Sequence, residues 1–326
     1  MKHVFVFDPK SFNKKKLVMN NIIKSIEEYF STQENFSIIF SLYRRNAIGL
    51  IQEEAEKSEP GGMIRVYAVG GEEILFDCLN AVAHFPNMQL AIVPCGETNS
   101  FINVFQKDIT GEKTDNLHKY FLDIPALINS ETLSTDIIRW GVNYALNSCY
   151  IGMNSYYLKK LKERKYKLGK KSFFILSKIS SLIYSFLASF DKKSAEKNYE
   201  IIIDDTDYSG KYSIIHIANT PYLAGKMTGV LDASPDDGVL DIALVSASNP
   251  VNSLSFLRSY LNGKRPKNCT IIQGKNVTIR SDSKMWIQLD DEYIEDREIN
   301  LNVVHKAIQL AAPEGLVYPL GSISAL

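Results

Sequence analysis

The first part of the chain alternates between strand-like and helix-like patterns, and this alternation constrains the fold more than any other feature. Short apolar and β-branched runs predict strands at residues 3–7, 36–41, 64–69 and 90–93. The segments between them place apolar residues at helical spacing, as in residues 15–30 and 47–57. Four alternations with short connections in about 105 residues predict a parallel sheet with helices on both faces.

The pattern changes after about Pro125, where alternating strand-like runs begin to dominate. These runs lie at residues 137–142, 144–151, 199–204, 212–218, 240–245, 269–272, 277–280, 285–289 and 299–304. They predict an antiparallel β domain, either a sandwich or a partly closed barrel. The expected fold class is an N-terminal α/β domain with a parallel sheet, followed by a C-terminal antiparallel β-sandwich domain.

The domain boundaries follow from these patterns. We place the α/β domain at residues 1–128 and the β-rich domain at residues 129–306, with a helical insertion at residues 159–190. The extreme C-terminus, about residues 307–326, is a candidate to pack back on the first domain. A chain of 326 residues favours two domains over one, because single hydrophobic cores rarely grow to that size.

The insertion begins with a basic run and continues with an apolar one. Residues 159–171 carry eight basic side chains and one acidic side chain. Residues 173–190 are apolar but contain Lys178 and five serines, so we do not expect a membrane span. Two interpretations stay open: a solvated basic helix followed by a helix packed on the β domain, or a surface that contacts an anionic membrane face.

Charge and cysteine content exclude several classes of protein. The formal net charge is zero, with 37 basic and 37 acidic residues, so we expect no nucleic-acid partner. The four cysteines form no CxxC pair, and the five histidines form no HExxH motif. We therefore expect a reduced, cytoplasmic protein without a cysteine-based zinc site. The apolar run at residues 3–7 is too short for a signal peptide.

The third predicted strand ends in Gly70-Gly71, which Glu72 and Glu73 follow at once. Two glycines let the backbone turn sharply and approach a ligand closely. A helix that starts just after them would favour an anion such as phosphate at its free N–H groups. Two carboxylates in that place would repel the same anion unless a cation lies between them.

Other candidate segments follow the strands in the same way. Residues 8–13 follow the first strand and residues 94–100 follow the fourth, which is where ligands bind in open α/β sheets. Far downstream come two acidic segments, at residues 237–241 (DGVLD) and 289–292 (LDDE). The five segments follow one another along about 280 residues of the chain.

This order and spacing resemble the diacylglycerol kinase catalytic family, which includes bacterial lipid kinases and sphingosine kinases. The family carries an NPxSG-type first loop, a GGDGTxNE loop, a PxGTxNDFAR loop, a P-x-A-x-x-x-DG-x-LD segment and a late DGE. The resemblance implies an N-terminal nucleotide domain, a C-terminal β domain and a cleft between them. It implies transfer of the ATP γ-phosphoryl group to a lipid hydroxyl with Mg²⁺, at a membrane surface that the protein contacts peripherally. A homodimer is a further option.

The resemblance also assigns roles to residues. Asp290 aligns with the family's proposed general base, Glu292 aligns with its partner, and Glu72 is a second candidate for a base or a metal contact. Asp237 and Asp241 match an acidic loop near a structural Mg²⁺, an ion that prefers hard oxygen ligands. The candidate nucleotide-binding residues are Asp8, Ser11, Ser41, Gly70, Gly71, Glu73, Ile74, Gly96, Glu97 and Asn99.

Several of these residues have simpler interpretations. Asp237-Gly238 is also the composition of a turn between strands. The acidic run at residues 290–292 is also typical of an exposed hairpin end. Asn99 is also a suitable helix N-cap.

The chain departs from the family motifs where phosphate would bind. Glu73 and Ile74 replace a Gly and a Thr, Phe76 replaces an Asn, and Glu97 replaces a phosphate-facing Thr. At about 4 Å, a like-charge contact costs on the order of 1 kcal/mol in water and about 4 kcal/mol at an effective dielectric of 20. The sequence thus leaves two main hypotheses: a lipid kinase, or a catalytically impaired member that binds lipid or nucleotide as a regulator. A third is a kinase that uses another phosphate donor, with Glu73 and Glu97 binding an extra cation. The directions in which Glu73 and Glu97 point distinguish them best.

Overall fold

The computed structural model describes residues 1–8, 16–96, 98–107, 117–152, 197–224, 227–228, 232–246 and 268–319. Three sequence predictions lie outside the described residues: the roles of Ser11 and Glu97 and the helical insertion at residues 159–190 with its membrane contact. In the described part, no helix combines the length and apolar character that crossing a membrane requires.

The N-terminal half contains the predicted parallel sheet. Its strands are β1 (Lys2–Phe7), β2 (Phe36–Phe40), β3 (Ile64–Gly70) and β4 (Met88–Pro94), in the order β2-β1-β3-β4. The helices between them are α1 (Lys16–Tyr29), α2 (Asn46–Glu56) and α3 (Glu72–Val82). All seven residues of β3 are buried, as expected of a central parallel strand covered on both faces. The predicted α/β fold is confirmed.

Short elements connect this sheet to the second half. A single 3-10 turn at Phe101–Val104 precedes β5 (Gln106–Lys107), and two short helices follow, α4 (His118–Leu122) and α5 (Ile124–Ile128). Asp123 caps α5, because its carboxylate accepts a hydrogen bond from the backbone N–H of Ala126. Phe105 and Phe121 belong to the hydrophobic core of the N-terminal half, the first core of the molecule.

The C-terminal half is antiparallel, as the alternating pattern predicts. Its strands are β6 (Thr132–Trp140), β7 (Asn143–Ala145), β8 (Ser148–Gly152), β9 (Lys197–Ile203), β10 (Thr206–Asp207), β11 (Gly210–Tyr212), β12 (Ile214–Ala218), β13 (Tyr222–Ala224), β14 (Met227–Thr228), β15 (Leu240–Val245), β16 (Cys269–Gly274), β17 (Asn276–Leu289), β18 (Glu292–Ala311) and β19 (Leu316–Val317). Six of them pair in the order β16-β15-β12-β8-β17-β18. Their inward side chains form a second core, separate from the first. The predicted antiparallel β domain is confirmed.

Four strand predictions were wrong in extent. Residues 277–280 and 285–289 belong to one strand, β17, because a bulge between Arg280 and Met285 interrupts the apolar alternation without ending the strand. The predicted strand at 144–151 is two strands, because Leu146 and Asn147 interrupt the strand conformation. The predicted strand at 299–304 is only the middle of β18, which runs for 20 residues.

Strand β18 connects the two halves of the molecule. It pairs antiparallel with β17, then with β6, and finally parallel with β4 through Gln309↔Gln89 and Leu310↔Leu90. Within the described residues, fifteen strands therefore form one continuous sheet. The chain bends where it passes between the cores, since Lys306 has a φ of 51° and the register shifts between Val304 and Ile308. Its C-terminal end contributes Leu310 to the first core.

A buried carboxylate on β6 holds this bend. Asp136 has no exposed surface, and its Oδ1 accepts hydrogen bonds from the backbone N–H of Lys306 (2.6 Å) and pairs with His305 Nδ1 (2.8 Å). Its Oδ2 accepts from the N–H of Gly238 at 2.7 Å. A buried charge needs such donors, so Asp136 fixes the Asp237-Gly238 turn against the bend in β18.

Candidate active site

The Gly-Gly turn brings two loops into direct backbone contact. A Cβ on Gly96 would lie 2.2 Å from the Cα of Gly71, and one on Gly70 would lie 2.6 Å from Ile74 Cγ2. The N–H of Gly96 donates to the carbonyl of Gly70 at 2.8 Å. With its amide oriented so that nitrogen faces carbonyl oxygen, Asn99 also donates to the Gly70 carbonyl. The three glycines therefore allow the loops after β3 and β4 to pack without side chains between them.

Asn99 is not the helix N-cap that one interpretation of the sequence suggests. Ser100 occupies the residue before the 3-10 turn, and it makes no side-chain cap. Asn99 is buried beside Gly70 instead. A polar residue suits this position, because its amide adds a second hydrogen bond to the Gly70 carbonyl, which already accepts from the N–H of Gly96.

Glu72 is the first residue of α3 and is half-buried at the junction of these loops. Its Oε1 accepts a hydrogen bond from the backbone N–H of Ser100 at 2.5 Å. Burial raises the pKa of Glu72 to about 7, the bond from the Ser100 N–H opposes the rise, and the nearby charge of Asp290 adds to it. Glu72 is therefore a carboxylate that exchanges its proton near neutral pH.

Asp290 lies at the turn between β17 and β18, with a φ of 47°. Its carboxylate accepts hydrogen bonds from three consecutive backbone N–H groups, those of Leu146 (2.6 Å), Asn147 (3.0 Å) and Ser148 (2.9 Å). The gap between β7 and β8 exists because these N–H groups turn toward the carboxylate rather than toward a strand. Burial raises the pKa of Asp290 to about 6, although the three N–H groups oppose that rise.

Glu292, the predicted partner of Asp290, is held by two arginines of the first half. Arg44 Nη2 lies 3.0 Å from Glu292 Oε2, and Arg45 Nη2 lies 2.9 Å from Oε1. Arg44 also donates to the backbone carbonyl of Asp291 at 2.8 Å. The acidic hairpin end is thus not simply exposed, because both of its outer carboxylates, Asp290 and Glu292, have specific partners.

Neither arginine was predicted from the sequence. They follow β2, at the same edge of the sheet as the Gly-Gly turn, and only Ser41 was selected from that loop. Two adjacent basic residues between a parallel strand and a helix were the available signal.

A cleft opens between the loop after β2 and the start of α3. Its lining residues are Asp8, Ser41, Leu42, Tyr43, Arg44, Glu73, Ile74 and Asp77. Four predicted nucleotide-binding residues therefore meet at this cleft: Asp8, Ser41, Glu73 and Ile74. Glu73 is thus one of the carboxylates that line this cleft. Gly70, Gly71, Gly96 and Asn99 lie in the adjacent loops rather than in the lining.

Asp237 and Asp241 differ in environment. Asp237 is exposed, and its Oδ1 accepts from the N–H of Val239 (3.0 Å) in a turn where Gly238 has a φ of 77°, as the simpler interpretation predicts. Asp241 is buried, and among the described residues its Oδ2 has no hydrogen-bond partner. Burial raises the pKa of Asp241 to about 6, and the charges of Asp237 and Asp232 add to the rise.

A cation beside Asp241 would relieve this unfavourable burial, and oxygen donors suit Mg²⁺. In the described ranges, however, no three His, Cys, Asp or Glu side chains come together as a metal site. The structural Mg²⁺ therefore stays a prediction.

Comparison with known proteins agrees with this geometry. Residues 2–139 match the family model for the diacylglycerol kinase catalytic domain. This part of the chain is similar to the diacylglycerol kinase catalytic domain. Residues 175–312 match a second family model, the YegS C-terminal NAD kinase beta sandwich-like domain. The predicted resemblance to the diacylglycerol kinase family is thus confirmed by two domain matches.

Relatives and solved structures extend this assignment. Proteins of Staphylococcus aureus strains JH9 and Newman, both named "Putative lipid kinase", are 26% identical over 285 residues, which is 85% of this chain and 86% of theirs. A solved structure described as "A putative diacylglycerol kinase from Bacillus anthracis str. Sterne" superposes with a TM-score of 0.71 at 17% identity, covering 97% of this chain and 98% of that one. At that identity the structural likeness supports the fold alone.

Proposed function

We propose that this protein is a lipid kinase of the diacylglycerol kinase type, which transfers the γ-phosphoryl group of ATP to a lipid hydroxyl. The observation that carries the proposal is the pair of half-buried neighbouring carboxylates, Glu72 and Asp290, at the junction of the two halves beside the cleft. Carboxylates with raised pKa values in such a place are typical of acid–base sites. The similarity to the diacylglycerol kinase catalytic domain supports the same conclusion.

Glu72 is the better candidate for the general base. Asp290 already accepts three backbone hydrogen bonds, which use most of the lone pairs of its carboxylate. Glu72 accepts from Ser100, and its pKa of about 7 lies near the pH at which a base is most efficient. In this proposal Glu72 removes the proton from the attacking hydroxyl. Asp290 stabilises the turn between β17 and β18 through its three backbone hydrogen bonds. Its charge also raises the pKa of Glu72.

The cleft would receive the nucleotide. Phosphoryl transfer needs positioning and charge neutralisation more than covalent chemistry, so the backbone of the loops and the arginines contribute most. Mg²⁺ bound with ATP would neutralise phosphate charge close to Glu73. The lipid acceptor implies contact with a membrane surface, for which residues 159–190 stay the predicted segment. A homodimer likewise stays a prediction.

One observation favours a second candidate, a catalytically impaired member that binds lipid or nucleotide as a regulator. Glu73 lines the cleft, and Ile74 stands where the family has a hydroxyl. One like charge at about 4 Å from a phosphate would weaken binding by roughly 1 to 4 kcal/mol, or about 5- to 900-fold.

Two assays test the proposal. Purified protein with Mg-ATP and dispersed diacylglycerol should form lipid phosphate, and Glu72→Gln should abolish this product. Glu34→Gln, at an exposed glutamate of the same domain, is the control and should leave the rate unchanged. Glu72→Gln at the wild-type rate would eliminate Glu72 as the base.

Ligand-induced stabilisation separates the two candidates further. A nucleotide bound only by the folded state raises stability by about 2.7 kcal/mol at a hundredfold excess over Kd. A rise in melting temperature with Mg-ATP but no lipid phosphate would favour the regulator. No rise at millimolar Mg-ATP would count against nucleotide binding in either role.

A further inference from the structure

We propose that Arg44 and Arg45 form a phosphate-binding site which the Glu292 carboxylate occupies in this conformation, so that a polyphosphate ligand must displace Glu292 to bind. This inference rests on the proposed function, because it takes the adjacent cleft to be the place that receives a nucleotide. It adds to that function two ligand-binding residues and an internal competitor.

The position of the arginines supports such a site. Arg44 lines the cleft beside Ser41 and Glu73. Arg45 follows it directly at the start of α2, where backbone N–H groups also favour an anion. A guanidinium group binds carboxylate and phosphate with the same planar fork of N–H donors, so a site that holds Glu292 suits a phosphate as well.

Arg45 is held in place independently of Glu292. Its guanidinium carbon lies 4.4 Å from the centroid of the Phe76 ring, and its backbone N–H donates to Asp77 Oδ2 at 2.8 Å. Its backbone φ is 67°, a left-handed conformation that residues with a Cβ rarely adopt. Phe76 is one of the departures from the family motif, so that departure has a structural role here: its ring supports Arg45.

The donors of Arg45 are not all satisfied by Glu292. In the part of the chain that the structure describes, Arg45 Nη1 is buried without a hydrogen-bond partner. A buried guanidinium N–H without an acceptor is unfavourable. A phosphate, with three or more oxygens, has more acceptors to offer the two arginines than the single carboxylate of Glu292.

The charges that line the cleft determine how strongly the pairing of Glu292 with the two arginines affects phosphate binding. Asp8, Glu73 and Asp77 place three carboxylates on its wall, and Arg44 is the basic side chain of that lining. While Glu292 pairs with the arginines, their charge is partly cancelled and the cleft is unfavourable for a polyphosphate. Because Glu292 belongs to β18 and the arginines follow β2, exchange of carboxylate for phosphate would also break two ion pairs between the halves of the molecule.

The affinity for inorganic pyrophosphate, measured by titration calorimetry without lipid, tests the proposal. Glu292→Gln should bind pyrophosphate at least tenfold more tightly, because an occupied site lowers apparent affinity in proportion to its occupancy. Arg44→Gln and Arg45→Gln should each bind at least tenfold more weakly. The matched controls are Glu298→Gln and Arg280→Gln, which break an ion pair with distances of 3.1 Å elsewhere and should stay within twofold of wild type.

The possible outcomes separate this inference from the proposed function. Affinity within twofold of wild type in Glu292→Gln, or in both arginine variants, would overturn the inference, even if the wild type makes lipid phosphate. The expected pattern without any lipid phosphate would keep the inference and remove the kinase. If Glu292→Gln does not fold, as judged by circular dichroism, the two arginine variants decide alone.

Discussion

The burial of Glu72 predicts an increase in stability when its charge is removed. Glu72 is ionised only at the cost of desolvation, which raises its pKa from 4.5 to about 7. A rise of that size corresponds to about 3 kcal/mol between the folded and unfolded states, at 1.36 kcal/mol for each pH unit. We therefore expect Glu72→Gln to unfold at higher denaturant concentration than wild type at pH 8, by up to about 3 kcal/mol.

The pH dependence gives the sign of the effect. Well below pH 4.5 Glu72 is protonated in both the folded and the unfolded state. Its raised pKa therefore does not lower the free energy of unfolding there. As pH rises from 4.5 through about 7, the unfolded chain loses this proton first, and the folded state loses stability relative to it. The advantage of Glu72→Gln should therefore be absent near pH 4 and grow to its full value above pH 7.

Urea denaturation of both proteins at pH 4.5, 6 and 8 measures this difference. Glu34→Gln, at an exposed site, should show no pH-dependent gain. The Gln amide can still accept the N–H of Ser100 through its oxygen, so the substitution keeps this hydrogen bond. A gain that is equal at pH 4.5 and pH 8, or a loss at pH 8, would refute the argument that burial raises this pKa.

Three further substitutions test other parts of the structure. Gly96→Ala should lower stability by about 2 kcal/mol or more in thermal denaturation, because the new Cβ meets backbone of Gly71, whereas Gly49→Ala, with no described atom within 4 Å, should raise stability slightly. Asp136→Asn should cost about 3 kcal/mol, since an amide cannot accept from all three of its donors, and an unchanged melting temperature would contradict its role as the anchor of β18. Glu73→Ser should tighten Mg-ATP binding about tenfold in calorimetry, and weaker binding would show that Glu73 does not oppose the phosphates.

Local patterns in the sequence were sufficient to predict the fold. The strands of the first half are short apolar runs separated by turns and helices, so their boundaries can be read within windows of about ten residues. The full extent of β18 could not be read in this way. The end of β18 pairs Leu310 with Leu90, and these two positions are more than 200 residues apart in the sequence. Nothing local to either position indicates that contact.

In the candidate site too, some residues could be selected from the local sequence and others could not. The glycines and acidic residues of the loops were selected because their types are unusual next to strands. Arg44 and Asp136 were not, because their importance comes from partners far along the chain: Asp291 for Arg44 and Lys306 for Asp136. The role of Asp290 was predicted from the family, but its bonds to three backbone N–H groups depend on how two distant strands end against each other.

The path of β18 has a consequence for the order in which the chain folds during synthesis. Strand β4 pairs with β3 on one side and with residues 309–310 on the other. On a ribosome, the first half would be complete long before that second partner emerges, and one margin of its sheet would stay open for most of translation. An open strand margin readily pairs with other chains, so nascent protein is most vulnerable to aggregation in that interval. Pairing of residues 309–310 with β4 then closes this margin.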